Sequence, residues 1–142
     1  MTMAKIQTAT KAASVLVIGV GGVLALAALP ATAGVTALLA DIIFWPFDGQ
    51  PGLNEPAVRL LAAISGGVMV GWGVLLWLVA TRVLPSEPLL GASLIRTSAI
   101  SWFAVDSFAS ALAGAPLNIV LNIVFLAAFL VPLASVAPRQ AT

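Results

Sequence analysis

A carboxylate and two amides near the junction of two apolar segments are the residues with the greatest capacity for chemistry in this chain. Asp106 interrupts the third apolar segment, and Asn118 and Asn122 lie at the start of the fourth, four residues apart. A charge at mid-bilayer costs about 2.5–3.5 kcal/mol on insertion scales, so an intramembrane carboxylate needs a partner, a water or a proton. The short connection at Gly114 brings both asparagines to the level of Asp106.

Arg59 is the partner that the sequence offers to Asp106. An antiparallel hairpin of the second and third segments, turning near residues 84 and 85, places the two side chains within about one helical turn. Arg59 also lies on the face of Gly66 and Gly73, because residues seven apart lie on nearly the same side of a helix. The sequence therefore predicts one polar cluster, with Ser107 and Ser110 nearby: Arg59, Asp106, Asn118 and Asn122.

Three interpretations of this predicted cluster compete. The favoured one is a structural ion pair between Arg59 and Asp106 that makes further hydrogen bonds with the asparagine amides and fixes the helix register. The second is a proton or cation site at Asp106 in a small conduit, with the asparagine oxygens as ligands. The third is a pocket for a lipid or small-molecule head group at the outer interface. A paired arginine disfavours transport, because it already neutralises the carboxylate.

Composition excludes most other functions. The chain has no His, Cys or Tyr, so no nucleophile with an adjacent base can be assembled, and we expect no enzyme. Haem ligation by histidine and a zinc site lack their ligands, and Asp48 and Glu55 match no calcium-site spacing. We therefore expect no metal and no cofactor. A net charge of +1 provides no basic patch for nucleic acid.

Hydropathy predicts the fold class. Hydrophobic residues make up 61% of the 142 positions and charged residues 8%, whereas soluble domains are about a quarter charged. Since a membrane-spanning helix needs about 20 residues, the sequence predicts an all-α, four-helix transmembrane bundle in a single domain, 1–142. We expect the four spanning helices at about 12–29, 57–81, 89–113 and 116–136, and a short interfacial helix at about 32–44.

The first apolar segment has a competing interpretation. Its lysines, its apolar run and the small residues before Gly34 imitate a cleavable secretory signal. The apolar character continues beyond that point, which favours a first membrane helix broken near Pro30. A shorter helix then ends in the aromatic residues Phe44, Trp45 and Phe47, which are typical of the headgroup level.

The distribution of charge predicts the orientation. Basic residues flank the two termini and the turn between the second and third helices, whereas acidic residues follow the first helix. By the positive-inside rule, both termini are expected in the cytoplasm and the acidic loop outside. Arg96 can extend its long side chain to the cytoplasmic surface. The residues concerned are Lys5, Lys11, Arg82, Arg96 and Arg139 on one side, and Asp41, Asp48 and Glu55 on the other.

Glycines in the second helix predict a packing face, because small residues let helix backbones approach closely in lipid. They are Gly66, Gly67, Gly71 and Gly73. The sequence leaves open whether that face packs within the chain or against another subunit, although packing within the chain is favoured. Trp72 and Trp77 on the same helix are interpreted as packed or lipid-facing aromatics.

A family resemblance extends over roughly residues 40–130. Segments 44–49, 59–67 and 71–73, together with the pairs Trp102-Phe103 and Asp106-Ser107, resemble a family of small uncharacterised four-helix integral membrane proteins of alphaproteobacteria. This resemblance implies the four-helix fold and a bacterial inner (cytoplasmic) membrane, and it implies no activity.

The predicted function is therefore non-catalytic. The favoured interpretation is a structural or accessory subunit that packs beside a larger membrane assembly, in contact with the lipid bilayer. The alternative is a small proton, cation or solute transporter that uses Asp106. The sequence leaves homo-oligomers open.

Overall fold

The computed structural model describes residues 1–49 and 52–136, and within them the chain is helical without a strand. The helices are α1 (Met3–Ala25), α2 (Ala33–Phe44), α3 (Pro56–Leu78), α4 (Pro88–Leu112) and α5 (Pro116–Leu133), with a 3₁₀ turn (Leu26–Ala28) after α1 and a π turn (Val79–Val83) after α3. Four of these helical segments are long and apolar enough to cross a membrane, and α2 is a shorter apolar helix. The predicted all-α bundle is confirmed, and the chain has the architecture of a multi-pass membrane protein.

Helix α1 begins at Met3, about nine residues before the predicted start. The prediction placed the boundary at the lysines, but a charged residue does not end a helix that continues beyond the bilayer core. Ile6 and Thr10 are buried in this extra stretch, so it packs as part of the bundle. The Lys11 ammonium lies 5.2 Å from the centre of the Trp77 ring, a cation–π contact that holds the charge beside α3.

Helices α1 and α3 make the closest helix pair of the bundle, through glycines on both sides. A Cβ atom added to Gly66 would lie 2.4 Å from the backbone oxygen of Gly21 and 2.4 Å from the backbone nitrogen of Ala25. A Cβ atom on Gly73 would lie 3.1 Å from the backbone oxygen of Ser14. These positions have no room for a side chain, so the glycines set the distance between the two helices.

Only half of the predicted glycine face takes part in this packing. Gly67 and Gly71 are exposed, and a Cβ atom on either would meet nothing within 4 Å. The reason is helical geometry, because successive residues point about 100° apart. Gly66 and Gly73 share the face that contacts α1, whereas Gly67 and Gly71 lie on another face.

The helices do not pack in the order of the chain. Helix α3 packs on α1, α1 also contacts α5, and α4 packs on α5, whereas α3 and α4 have only weak contact along their lengths. The turn between α3 and α4 is itself tight, since a Cβ atom on Gly91 would lie 2.7 Å from Cα of Leu84. The two helices therefore leave this turn together and then diverge, with a cleft between them.

The N-terminus and the end of α5 lie at the end of the bundle that carries the α3–α4 turn, here called the terminal end. The Met1 ammonium donates a hydrogen bond to Ser135 Oγ at 3.3 Å. Arg96 donates from Nη2 to the carbonyl oxygens of Leu133 and of Val136, the latter at 3.0 Å. Arg96 therefore binds the open carbonyl end of α5, where a cation is favoured. The predicted anchor Arg139 lies outside the described residues.

An aromatic layer crosses the middle of the bundle. The ring centres of Trp72 and Trp102 are 5.4 Å apart, and Phe129 and Phe125 contact one ring each. Trp72 Nε1 donates a hydrogen bond to Ser98 Oγ at 2.6 Å, which satisfies the indole donor within the membrane region. This layer is the principal contact between α3 and α4, and it confirms the interpretation of Trp72 as a packed aromatic.

Candidate functional site

Asp106 is the acceptor at the centre of a polar cluster between α4 and α5. Its Oδ1 atom accepts hydrogen bonds from Asn118 Nδ2 at 2.8 Å, from Asn122 Nδ2 at 3.1 Å and from Ser110 Oγ at 3.1 Å. The structure thus brings together three of the four residues predicted for the cluster. We call Asp106, Ser107, Ser110, Asn118 and Asn122 the Asp106 cluster.

The amide donors of the Asp106 cluster are fully used within it. Besides its bond to Asp106, Asn118 Nδ2 donates to Ser110 Oγ at 2.8 Å, and Asn122 Nδ2 donates to Ser107 Oγ at 3.2 Å. An amide NH₂ group has two hydrogens, so neither asparagine has one left. The Ser110 hydroxyl donates to the Asp106 backbone oxygen, at 2.7 Å, and to Oδ1.

Three acceptor oxygens of the cluster remain open. Within residues 1–49 and 52–136, no group donates a hydrogen bond to Asp106 Oδ2 or to the Oδ1 atoms of Asn118 and Asn122. None of these oxygens is a fully buried atom, although the Asn122 side chain as a whole is 3% exposed. The cluster therefore presents acceptors outward and retains its amide donors.

Local geometry explains why α4 and α5 form this cluster. Gly114 has a φ of +72°, a left-handed conformation that glycine adopts without strain, and Ala115 N donates to the Ser110 oxygen at 2.9 Å. Pro116 then occupies the first turn of α5, where its missing N–H has no cost. Asn118 and Asn122 follow on one face of α5, because residues four apart are neighbours on a helix.

Arg59 does not join the Asp106 cluster, and the predicted ion pair is wrong. Its Nη1 atom donates to the carbonyl oxygens of Leu53 at 3.2 Å and Asn54 at 2.7 Å. Its Nε atom is buried and has no partner among the described residues. Arg59 instead ties down the loop before α3 and lines a small cavity of about 260 Å³ near the start of α2. The prediction assumed that Arg59 and Asp106 are neighbours because they lie at the same depth in α3 and α4. They are not neighbours, because α3 packs on α1.

Asp41 is a structural carboxylate that sequence reasoning placed in the exposed acidic loop. The structure places it in the last turn of α2, 6% exposed. Its Oδ1 accepts hydrogen bonds from the backbone N–H groups of Asp48 at 3.0 Å and Gly49 at 2.9 Å. The carboxylate thus orders the chain after α2. The sequence feature that could have predicted this role is the position of Asp41 inside an apolar helix, away from the turn residues.

A cavity of about 680 Å³ lies directly beside the Asp106 cluster; we call it the lateral cavity. All five α-helices contribute to its wall, and Trp72 and Trp102 lie at its inner side. The lining is apolar apart from Ser65, Asp106, Asn118 and Asn122. The apolar lining residues are Leu16, Val17, Val20, Leu24, Leu39, Ile43, Ile64, Val68, Met69, Trp72, Trp102, Leu121, Val124 and Phe125.

Several residues that line the lateral cavity are also exposed, among them Val68 on α3, Val124 on α5 and Leu16 on α1, so the cavity reaches the surface of the bundle. Val68 is 67% exposed, and Ile64 is exposed one helical turn earlier. Both lie on α3, which hardly contacts α4 outside the aromatic layer. In a bilayer this surface faces the acyl chains. The site can therefore hold an apolar body against a few polar acceptors.

The described residues contain no group of three or more acidic, histidine or cysteine side chains that could hold a metal ion. No family model matches the chain, and no curated protein or solved structure matches it. The resemblance to small four-helix proteins of alphaproteobacteria therefore stays a prediction.

Proposed function

We propose that this chain is a non-catalytic membrane protein that holds an apolar or amphipathic small molecule, taken from the bilayer, in the lateral cavity. The carrying observation is the cavity itself, about 680 Å³ in volume, apolar except at the Asp106 cluster. Small-molecule sites are typically concave, mostly apolar, about 300–1,000 Å³ in volume and provided with a few polar groups that orient the ligand.

Entry from the bilayer follows from the divergence of α3 and α4. A ligand that approaches through the lipid between α3 and α4 reaches the cavity past the exposed side chains of Ile64 and Val68, without crossing the bundle. The aromatic layer of Trp72, Trp102 and Phe129 lies between the Asp106 cluster and the terminal end. A conduit through the bundle would have to displace this layer, which favours binding over the alternative of transport through Asp106.

Filling the mouth of the cavity tests this function. We expect Val68→Phe to weaken binding of a doxyl-labelled dodecanol at least about tenfold, which corresponds to about 1.4 kcal/mol of lost contact. The measurement is saturable quenching of tryptophan fluorescence in phosphatidylcholine nanodiscs, since Trp72 and Trp102 line the cavity.

Val74→Phe is the matched control for that experiment. Val74 lies on the same helix and is exposed, but it does not line the cavity, so the same change there should leave the binding curve unaltered. Quenching that rises without saturation, equally in the wild type and both variants, would report collisions in the bilayer and would refute the proposed function.

A second candidate function is an accessory subunit beside a larger membrane assembly. The observation that favours it is the free glycine pair of α3, because Gly67 and Gly71 are exposed, four residues apart and unobstructed. Such small residues allow close approach of a second transmembrane helix. On this proposal the protein resides in a bacterial inner membrane, with both termini in the cytoplasm.

Purification from the native membrane in a mild detergent tests the accessory role. We expect stoichiometric recovery of other membrane subunits with the tagged wild type, and their loss with Gly67→Leu, because a large side chain there prevents close helix approach. Mass spectrometry of the bound proteins is the measurement, and recovery of the chain alone would contradict this candidate. Val74→Leu is the matched control, since it alters an exposed site elsewhere on the same helix.

A further inference from the structure

We infer that the ligand of the lateral cavity is a single-chain amphiphile with an ammonium head group, bound with its nitrogen at the open oxygens of the Asp106 cluster. This inference rests on the proposed function and specifies its ligand class. The juxtaposition that carries it is an apolar cavity of about 680 Å³ with three unfilled acceptor oxygens at one point of its wall.

The open hydrogen-bonding atoms of the Asp106 cluster favour a ligand whose head group donates hydrogen bonds. Both hydrogens of Asn118 Nδ2 and both hydrogens of Asn122 Nδ2 are directed to other members of the cluster. The open atoms on the residues that line the cavity are the carboxylate oxygen Asp106 Oδ2 and the two amide oxygens, and all of these only accept. The Ser107 hydroxyl donates to no acceptor among the described residues, but Ser107 does not line the cavity. A primary ammonium has three donors and no acceptor, so its inventory complements that of the site.

Charge selects an ammonium over a neutral donor. No Lys or Arg of residues 1–49 and 52–136 forms an ion pair with Asp106, because Arg59 is held by the carbonyl groups of Leu53 and Asn54. Arg96 is held by the end of α5. Since intramembrane carboxylates are normally paired, an ammonium at Oδ2 provides the counter-ion that the described chain does not.

The same geometry excludes an anionic head group. A carboxylate or phosphate placed here would meet the oxygens of Asp106 and of both amides at short range, and like charges in a low-dielectric site repel strongly. The apolar wall formed by Val20, Leu121 and Phe125 then accommodates the alkyl body. Burial of the alkyl chain contributes equally to the affinity of every amphiphile, whatever its head group. The Asp106 cluster is the part of the site that discriminates among head groups.

Competition among matched amphiphiles tests the inference. Dodecylamine, dodecanol and dodecanoic acid, each unlabelled, displace the doxyl-labelled dodecanol from the wild-type protein in phosphatidylcholine nanodiscs at neutral pH. With concentrations corrected to the amount in the bilayer, we expect dodecylamine to bind at least about tenfold more tightly than dodecanol, because hydrogen bonds to charged groups are the stronger ones. Dodecanoic acid should compete least.

Asp106→Asn is the discriminating variant, because it retains an oxygen for the three internal donors and replaces the open oxygen with an NH₂ group. We expect it to lose the preference for dodecylamine, so that the amine and the alcohol compete within about threefold of each other in this variant. Equal competition by amine and acid in the wild type would overturn the ammonium assignment and leave the cavity function standing. Absence of saturable quenching by the labelled alcohol itself would refute both.

Discussion

Replacing Gly66 with alanine is expected to destabilise the protein by about 3 kcal/mol, at the upper end of the range for overpacking. The new Cβ atom would lie 2.4 Å from the backbone atoms of Gly21 and Ala25, and backbone atoms cannot rotate away as a side chain can. Helices α1 and α3 would have to separate, which also weakens the contact at Gly73. The measurement is equilibrium unfolding in mixed micelles with increasing SDS, followed by tryptophan fluorescence.

The adjacent residue provides the control. Gly67→Ala adds the same methyl group to the same helix turn, where nothing lies within 4 Å. We expect its unfolding midpoint to stay at or slightly above that of the wild type, since alanine favours helix over glycine by about 0.8–1 kcal/mol in water. Equal losses in the two variants would show that glycine content, and not the α1–α3 contact, determines stability.

The helices could be predicted from the sequence because each depends on its own residues. Long apolar segments, prolines at the first turn of α3, α4 and α5, and the break before Pro30 are local signals. The association of Asp106 with Asn118 and Asn122 was also predictable, because a short turn through Gly114 leaves the two helices little freedom. The start of α1 was misplaced because Lys5 and Lys11 mark the edge of the bilayer, not the end of a helix.

Contacts between helices that are distant in the chain could not be predicted in the same way. Pairing Arg59 with Asp106 assumed that α3 lies against α4 because a tight turn joins them. The decisive partner of α3 is α1, and the signal was a stripe of small residues at helical spacing, Ser14, Gly21 and Ala25, that matches Gly66 and Gly73. Because α3 is held by α1, it makes few contacts with α4 along its length, and both helices contribute to the wall of the lateral cavity.

Removing the acceptor at Asp106 is expected to cost about 2 kcal/mol of stability. Asp106→Ala leaves two amide hydrogens, on Asn118 and Asn122, without their acceptor, whereas the Ser110 hydroxyl keeps its bond to the backbone oxygen of residue 106. Hydrogen bonds between membrane helices average about 0.6 kcal/mol each in double-mutant cycles, and a stranded buried donor costs more. The unfolding midpoint in the same SDS titration is the measurement.

Asp106→Asn separates the acceptor from the charge. Its amide oxygen can accept the same three hydrogen bonds, so we expect its stability to stay within about 1 kcal/mol of the wild type, or to rise, because a carboxylate in the bilayer is itself unfavourable. If both variants lose stability equally, the charge and not the acceptor holds α4 to α5. If only Asp106→Ala loses it, the charge is unnecessary for folding. In that case the Asp106 carboxylate lowers the stability of the free protein, and binding of a cationic ligand can offset this loss. Such a loss is expected at a binding site, where the functional residue is often less stabilising than a neutral substitute.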